Sequence, residues 1–224
     1  MGWAVARAAP TNWFVDRRDA GRRLAGQLRG YAGRSNIVVL GLPRGGVPVA
    51  YEVALALHAP LDVITVRKLG VPGQEELAFG AIASGGVQVI NAEVVAEAAL
   101  TPEQIERLAA EQRVELEQRE RLYRGEAPAL PLEHATAIIV DDGLATGATM
   151  RAAVEAARLR QASRVAIAVP VAAASSARAL AAGTDAIFCT VTPPRFLAVA
   201  NWYDDFTPTS DEEVRELLAL ARRR

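Results

Sequence analysis

The stretch Ala137-Ile138-Ile139-Val140-Asp141-Asp142-Gly143-Leu144-Ala145-Thr146-Gly147-Ala148-Thr149-Met150 decides how the rest of this chain is read. Its apolar opening suits a strand buried on both faces. Two carboxylates follow at the carboxyl end, where open α/β sheets bind ligands. A turn with glycines and threonines then opens a helix. Asp141 and Asp142 can accept hydrogen bonds from vicinal hydroxyls. Thr146 to Thr149 offers a phosphate backbone N–H groups, two hydroxyls and the positive end of a helix dipole. Asp-Asp-Gly alone would suit a plain turn before a Thr-capped helix, but the full pattern favours a sugar-phosphate loop. It is not a Walker A loop, because no Lys follows Gly147, and it holds no G-x-G-x-x-G.

The 224 residues suffice for one well-buried domain. Apolar residues make up 51% and charged residues 23%, an ordinary globular balance. A formal net charge of -1 gives no basic excess, so neither composition nor charge points to nucleic acid as the main partner. The single cysteine, Cys189, rules out an internal disulfide and suits a reducing, cytoplasmic setting. It falls in an expected buried strand, where a small core residue is the natural reading. The longest apolar stretch, 165–174, contains Pro170 and is too short to span a bilayer. Residues 1–15 lack the continuous apolar core of a secretory signal and read as a loose extension.

From there, Asp16 caps an expected helix over 16–31, and the apolar run 37–42 is a candidate central strand. A helix over 47–58 and a strand over 61–66 follow. This alternation predicts a parallel sheet with crossover helices. The pattern then changes. Residues 70–76 read as a flexible loop, and 78–83 with 87–90 as a β-hairpin turned by Ser84-Gly85-Gly86. Thr101-Pro102-Glu103-Gln104 opens a densely charged helix to about Tyr123, read as solvated and packed outside the core. After the opening stretch come a helix to about 160, a strand over 164–169, a helix over 175–182 and a strand over 186–190. Residues 191–209 are irregular and aromatic, and Ser210 caps a final helix. The expected organisation is one α/β domain over 16–224 with an insertion over 67–134.

The 137–150 stretch resembles the phosphoribosyl pyrophosphate (PRPP) motif of type I phosphoribosyltransferases: apolar strand, two acidic residues, T-G-x-T loop. The resemblance implies a Rossmann-like parallel sheet flanked by helices, an inserted β-hairpin and helical segment, and a C-terminal hood over 191–209. It implies transfer of 5-phosphoribosyl from PRPP to a purine- or pyrimidine-like base or an amine, with release of pyrophosphate. Asp141 and Asp142 would hold the ribose hydroxyls, and Ala145, Thr146, Gly147, Ala148 and Thr149 the 5′-phosphate. Gly41-Leu42-Pro43-Arg44-Gly45-Gly46 could be only a tight turn, yet its guanidinium and glycines also let an anion approach closely. In the resembled family such a basic-Gly pair, here Arg44-Gly45, binds pyrophosphate, often beside an unusual cis peptide.

Arg67-Lys68-Leu69-Gly70-Val71-Pro72-Gly73 resembles a run in adenine phosphoribosyltransferases that precedes a mobile loop. By that likeness Arg67 and Lys68 would neutralise pyrophosphate, and Arg44 and Arg67 join the acidic pair as catalytic residues. Lys68 reads equally well as a surface cation. Phe196-Leu197-Ala198-Val199 and Tyr203-Asp204-Asp205 resemble the tail of hypoxanthine-guanine enzymes, which implies base contacts from Phe196, Trp202, Tyr203 and Asp204. Phe206 reads better as part of a small satellite core. Mg²⁺ would be held mainly through substrate oxygens, with Asp141, Asp142 and Asp204 as protein donors. A homo-oligomer is expected by family analogy.

One position departs from the pattern. Hypoxanthine-guanine enzymes place an Asp before the T-G pair, where this chain has Ala145, and the L-E-Y-G run of adenine enzymes is replaced by Leu77-Ala78-Phe79-Gly80. Glu75 or Glu76 could handle the acceptor proton from the 67–80 segment. The alternative to an enzyme is a PRPP- or nucleotide-sensing regulator with the same fold and no turnover. His58 and His134 stand alone, without a partner at ligand spacing, and read as structural or surface residues.

Overall fold

A computed structural model describes residues 14–223; residues 1–13 of the N-terminal extension lie outside the described residues, as do the side chains of Glu75 and Glu76. Five short apolar runs form one parallel sheet: β1 (Ile37–Gly41), β2 (Leu61–Val63), β6 (Thr136–Val140), β7 (Arg164–Val171) and β8 (Ala186–Val191), in the order β2-β1-β6-β7-β8. Strand alternation sends Val39, Ile138, Val140 and Ala166 to one face. There they meet helices α1 (Arg17–Ala25), α2 (Gly46–Leu57) and α7 (Asp211–Arg222). Val38, Leu40, Ile139 and Ile167 point to the opposite face, against α5 (Ala148–Leu159) and α6 (Ala174–Ala181). Burial on both faces explains why these strands read as unbroken apolar runs.

The register matters more than the order. Gly41 lies opposite Val140, so the two central strands end level, and the Leu42 amide donates to the Val140 carbonyl at 2.9 Å. The turn after β1 and the acidic pair after β6 therefore emerge side by side.

The segment expected as a flexible loop is paired instead. Arg67 to Val71 belongs to β3 (Val66–Val71), antiparallel to β4 (Gln74–Ala83), which pairs in turn with β5 (Val87–Ile90). The expected hairpin is present as β4-β5, and β3 completes a second sheet. The reason is packing. Leu69, Val71, Phe79 and Ile82 bury an apolar face against Ala109 and Leu116 of α4 (Pro102–Arg124). Pro72 and Gly73 do not oppose the pairing; they form the two-residue turn that joins β3 to β4, with Gly73 at a φ of 78°. A short helix, α3 (Ala92–Glu97), also appears where none is expected, started by Asn91, whose side chain accepts from the Glu93 and Val94 amides.

Helix α4 has the expected capping box of Thr101 and Gln104. Its last turn is not wholly solvated, however, because Tyr123 and Arg124 are buried. Arg124 is 6% exposed, and its Nε lies 2.8 Å from Asp62 Oδ1 in β2. Its Nη1 lies 3.0 Å from Glu120, and its Nη2 donates to the Val63 carbonyl at 2.7 Å. Asp62 also accepts from the Leu130 amide, and Glu120 accepts from Thr65 and Ser84 at the root of the second sheet. This buried cluster fastens the insertion to the sheet edge. No helix among the described residues is long and apolar enough to cross a membrane.

Removing one member of a buried, hydrogen-bonded charge cluster strands the others. Arg124→Leu is expected to lower the unfolding free energy by about 3 kcal/mol. Urea denaturation at neutral pH measures it.

Candidate active site

Asp141 and Asp142 leave β6 at the carboxyl edge of the sheet, both partly buried, and the Asp142 amide donates to Asp141 Oδ1 at 2.9 Å. The turn after β1 lies directly on them. A Cβ on Gly45 would fall 2.0 Å from Asp142 Oδ2, and one on Gly46 would fall 2.6 Å from the Val140 carbonyl oxygen. Only glycine permits that approach. The Pro43–Arg44 peptide is cis. The Arg44 side chain does not fold back onto the acids. It is half exposed and reaches toward α7, 3.9 Å from Asp211.

Beyond the acidic pair, Leu144 anchors the loop through two 2.8 Å bonds, its amide to the carbonyl of Val171 at the end of β7 and its carbonyl to the amide of Ala173, which caps α6. Ser176 donates to the Ala145 carbonyl. Gly147 caps α5, and the Arg151 amide is the first to bond back to it, at 2.9 Å. The amides of Ala148, Thr149 and Met150 thus precede the first intrahelical bond. Ala145, Thr146 and Ala148 are exposed and Thr149 half buried. This is a phosphate-sized cradle of backbone donors next to two carboxylates.

Strand geometry separates two residues that sequence reasoning paired. Arg67 and Lys68 are neighbours in β3, so they face opposite ways. Arg67 turns to α4 and pairs with Glu115. Lys68 faces the other side, in a cleft of ≈ 710 Å³ that also includes Gly80, Asn91, Ala148, Arg151 and Glu155. The structure therefore brings Lys68, not Arg67, toward the phosphate-loop helix.

The hood is also sorted by the structure. Phe14, Tyr203, Phe196, Trp202 and Phe206 form a small aromatic core, with Tyr203 only 3% exposed. Tyr203 packs between Phe14 and Phe206, at ring-centroid distances of 5.4 and 5.0 Å, and donates to the Asp142 carbonyl at 2.5 Å. Its ring supports the acidic pair and offers no free face. Phe206 joins the same core, as the sequence suggests, and Val199 sits on Gly143 of the loop. Asp204 is exposed, and its amide donates to the Phe14 carbonyl. Glu75 and Glu76 begin β4, but their side chains lie outside the described residues. Cys189 is a half-buried strand residue whose thiol donates to the Val191 carbonyl, and burial pushes its pKa up to about 11.

Residues 16–204, most of the chain, match the family described as the Phosphoribosyl transferase domain. The chain belongs to that family. Proteins of two Mycobacterium tuberculosis strains, provisionally named phosphoribosyl transferases, are each 48% identical over 210 residues, covering 94% of this chain and 47% of their own length. The chain thus spans about half the length of the curated relatives it matches. The crystal structure of TT1426 from Thermus thermophilus is 41% identical, with a TM-score of 0.81 over 92% of this chain and 97% of that one. The AQ2163 protein of Aquifex aeolicus, 12% identical with a TM-score of 0.51, covers 81% of this chain and 76% of that one and shares the fold alone.

The phosphoribosyl transferase domain also contains a site residue that sequence reasoning passed over. Arg17, in the first turn of α1, donates from Nε to Asp142 Oδ2 at 2.9 Å. In the sequence it is one of several arginines on an amphipathic helix, and nothing marks it out. The acidic pair has an electrostatic cost. Burial, then the neighbouring Asp142 charge, pushes the Asp141 carboxyl well above its usual range. Burial also raises Asp142, and Arg17 offsets part of that rise.

A carboxyl whose folded pKa is raised binds protons more readily folded than unfolded. Its ionisation therefore removes stability as pH climbs from about 4, the unfolded value, through the folded pKa. Asp141→Asn is expected to raise the melting temperature at pH 8 without added divalent cation, and the gain should vanish near pH 4. A pH series of thermal melts on the two proteins checks both the sign and the window.

Proposed function

We propose that this chain transfers the 5-phosphoribosyl group of PRPP to a nitrogenous acceptor and releases pyrophosphate. One observation carries the reading. The level ends of β1 and β6 bring the Gly45-Gly46 turn, the acidic pair and the loop that opens α5 side by side, with two carboxylates beside the open amides of a helix N-terminus. PRPP offers groups that match: a phosphate for the amides and a diol for the carboxylates.

In this reading Asp141 and Asp142 accept from the ribose hydroxyls and favour the cationic sugar that forms as the C1–oxygen bond stretches. Residues 145–149 hold the 5′-phosphate through backbone amides and the Thr146 and Thr149 hydroxyls. The 44–46 turn is the candidate for the leaving pyrophosphate, and Lys68 supplies a cation in the cleft beside α5. Such catalysis is mainly positioning and fixed electrostatics. The hard oxygens of Asp141 and Asp142 suit Mg²⁺ that keeps most of its ligands from substrate and water. Among the described residues no third ligand joins them, so Asp204, expected as a further donor, is not gathered with the pair. When bound, the ion would neutralise pyrophosphate charge. Phe196 and Trp202 provide the half-buried apolar surface of the hood, and Glu75 and Glu76 are the candidates for the acceptor proton, since Ala145 has no titratable group.

PRPP with Mg²⁺ is expected to raise the melting temperature, and Asp141→Asn combined with Asp142→Asn to abolish that rise. No stabilisation at millimolar PRPP contradicts the reading. A panel of purine, pyrimidine and amine acceptors, assayed for pyrophosphate release, then identifies the acceptor class. PRPP binding without release for any acceptor would move the reading to a PRPP-sensing regulator.

A further inference from the structure

Asp142 is held from four directions. Its own strand supplies the Asp141 side chain, which accepts from the Asp142 amide. The β1–α2 turn presses Gly45 against Oδ2. The hood donates the Tyr203 hydroxyl to the Asp142 carbonyl. Helix α1 reaches in with Arg17, whose Nε also takes Oδ2.

Arg17 does more than pair with a carboxylate. It is only 11% exposed, and Asp142 16%. Its Nη1 donates to the Thr207 carbonyl of the hood at 2.7 Å, and its guanidinium lies 3.9 Å over the Phe206 ring centroid. One planar group thus makes three contacts in three directions: a carboxylate, a hood carbonyl and a hood aromatic face. Guanidinium geometry allows that combination, whereas an ammonium could satisfy only the charge.

We propose that Arg17 is a positioning residue of the sugar site, which fixes the Asp142 carboxylate for the ribose hydroxyls and makes that fixation depend on a seated hood. The inference rests on the PRPP reading above. Without Arg17, two adjacent carboxylates would share a recess with no cation from the described residues on either of them, because Arg44 points to α7 and Lys68 to the cleft beside α5. Asp142 would then be free to rotate away from Asp141. That change removes a hydroxyl acceptor and leaves the backbone amides of the α5 loop untouched. The contact with Phe206 and Thr207 also connects the sugar site to the acceptor side of the cradle. A loosened hood therefore weakens Asp142 placement, and a bound sugar helps seat the hood.

Calorimetric titration with two probes, PRPP and inorganic pyrophosphate, each with Mg²⁺, separates this role from general stabilisation. Arg17→Gln is expected to weaken PRPP about tenfold or more while pyrophosphate affinity stays within about twofold. Arg17→Lys, which restores charge beside Asp142 but not the contacts with Thr207 and the Phe206 face, is expected to recover only part of the lost PRPP affinity. PRPP affinity unchanged in Arg17→Gln, equal losses for both probes, or no recovery in Arg17→Lys would each overturn the proposal. If Arg17→Gln does not fold, Phe206→Leu keeps the test open. It removes the aromatic face beneath the guanidinium and is expected to weaken PRPP alone, and no difference between the probes overturns the proposal. If the unaltered protein binds pyrophosphate but not PRPP, the proposed function fails and this inference falls with it.

Discussion

Two adjacent carboxylates at the end of a buried central strand are the constraint that the surrounding structure answers. Like charges in a partly dehydrated recess destabilise the fold unless something neutralises or orients them. Here the answer is distributed. Arg17 supplies the cation, the Asp142 amide satisfies Asp141, and the Tyr203 hydroxyl closes off the Asp142 carbonyl. Glycines at 45 and 46 let the neighbouring turn lie flat on the pair. Helix α1, the β1–α2 turn, β6 and the hood thus converge on one pair of side chains, although the sequence keeps them far apart. A site that costs stability and is nonetheless braced so thoroughly is the usual signature of function.

The second sheet has a different kind of support. Its apolar face rests on α4, and its root is tied to β2 by the Asp62–Arg124–Glu120 cluster with Thr65 and Ser84. Its other face carries Lys68 toward α5. The insertion is therefore an ordered platform, fastened at its base, that borders α5. For the transfer proposed above, which depends on shielding a sugar cation from water, a paired sheet would provide a defined wall.

What could be read from the sequence follows from how local each signal is. The five core strands were legible because burial on both faces produces continuous apolar runs, and the 141–149 loop because its residues act as neighbours in the chain. Arg17 was not legible, because its partner Asp142 lies 125 positions away and helix periodicity gives an ion pair no preferred arginine. Strand β3 was obscured by Gly70, Pro72 and Gly73, although the alternation of Leu69 and Val71 already marked an apolar face. The same alternation would have warned that Arg67 and Lys68 cannot serve one ligand together. Aromatic residues in an irregular segment suggest a platform for a base, but packing places the Tyr203 ring in the satellite core.

The most direct measurement is the phosphorus NMR spectrum of PRPP titrated with the protein in the presence of Mg²⁺. Its 5′-phosphate and its two pyrophosphate phosphorus atoms give separate resonances. If the cradle binds both ends of the molecule with the sugar between, all three are expected to shift or broaden in proportion to added protein. Resonances that stay at their free positions and widths at stoichiometric protein, or a response confined to one end, would contradict the assignment of the acidic pair and the two flanking loops to a single ligand.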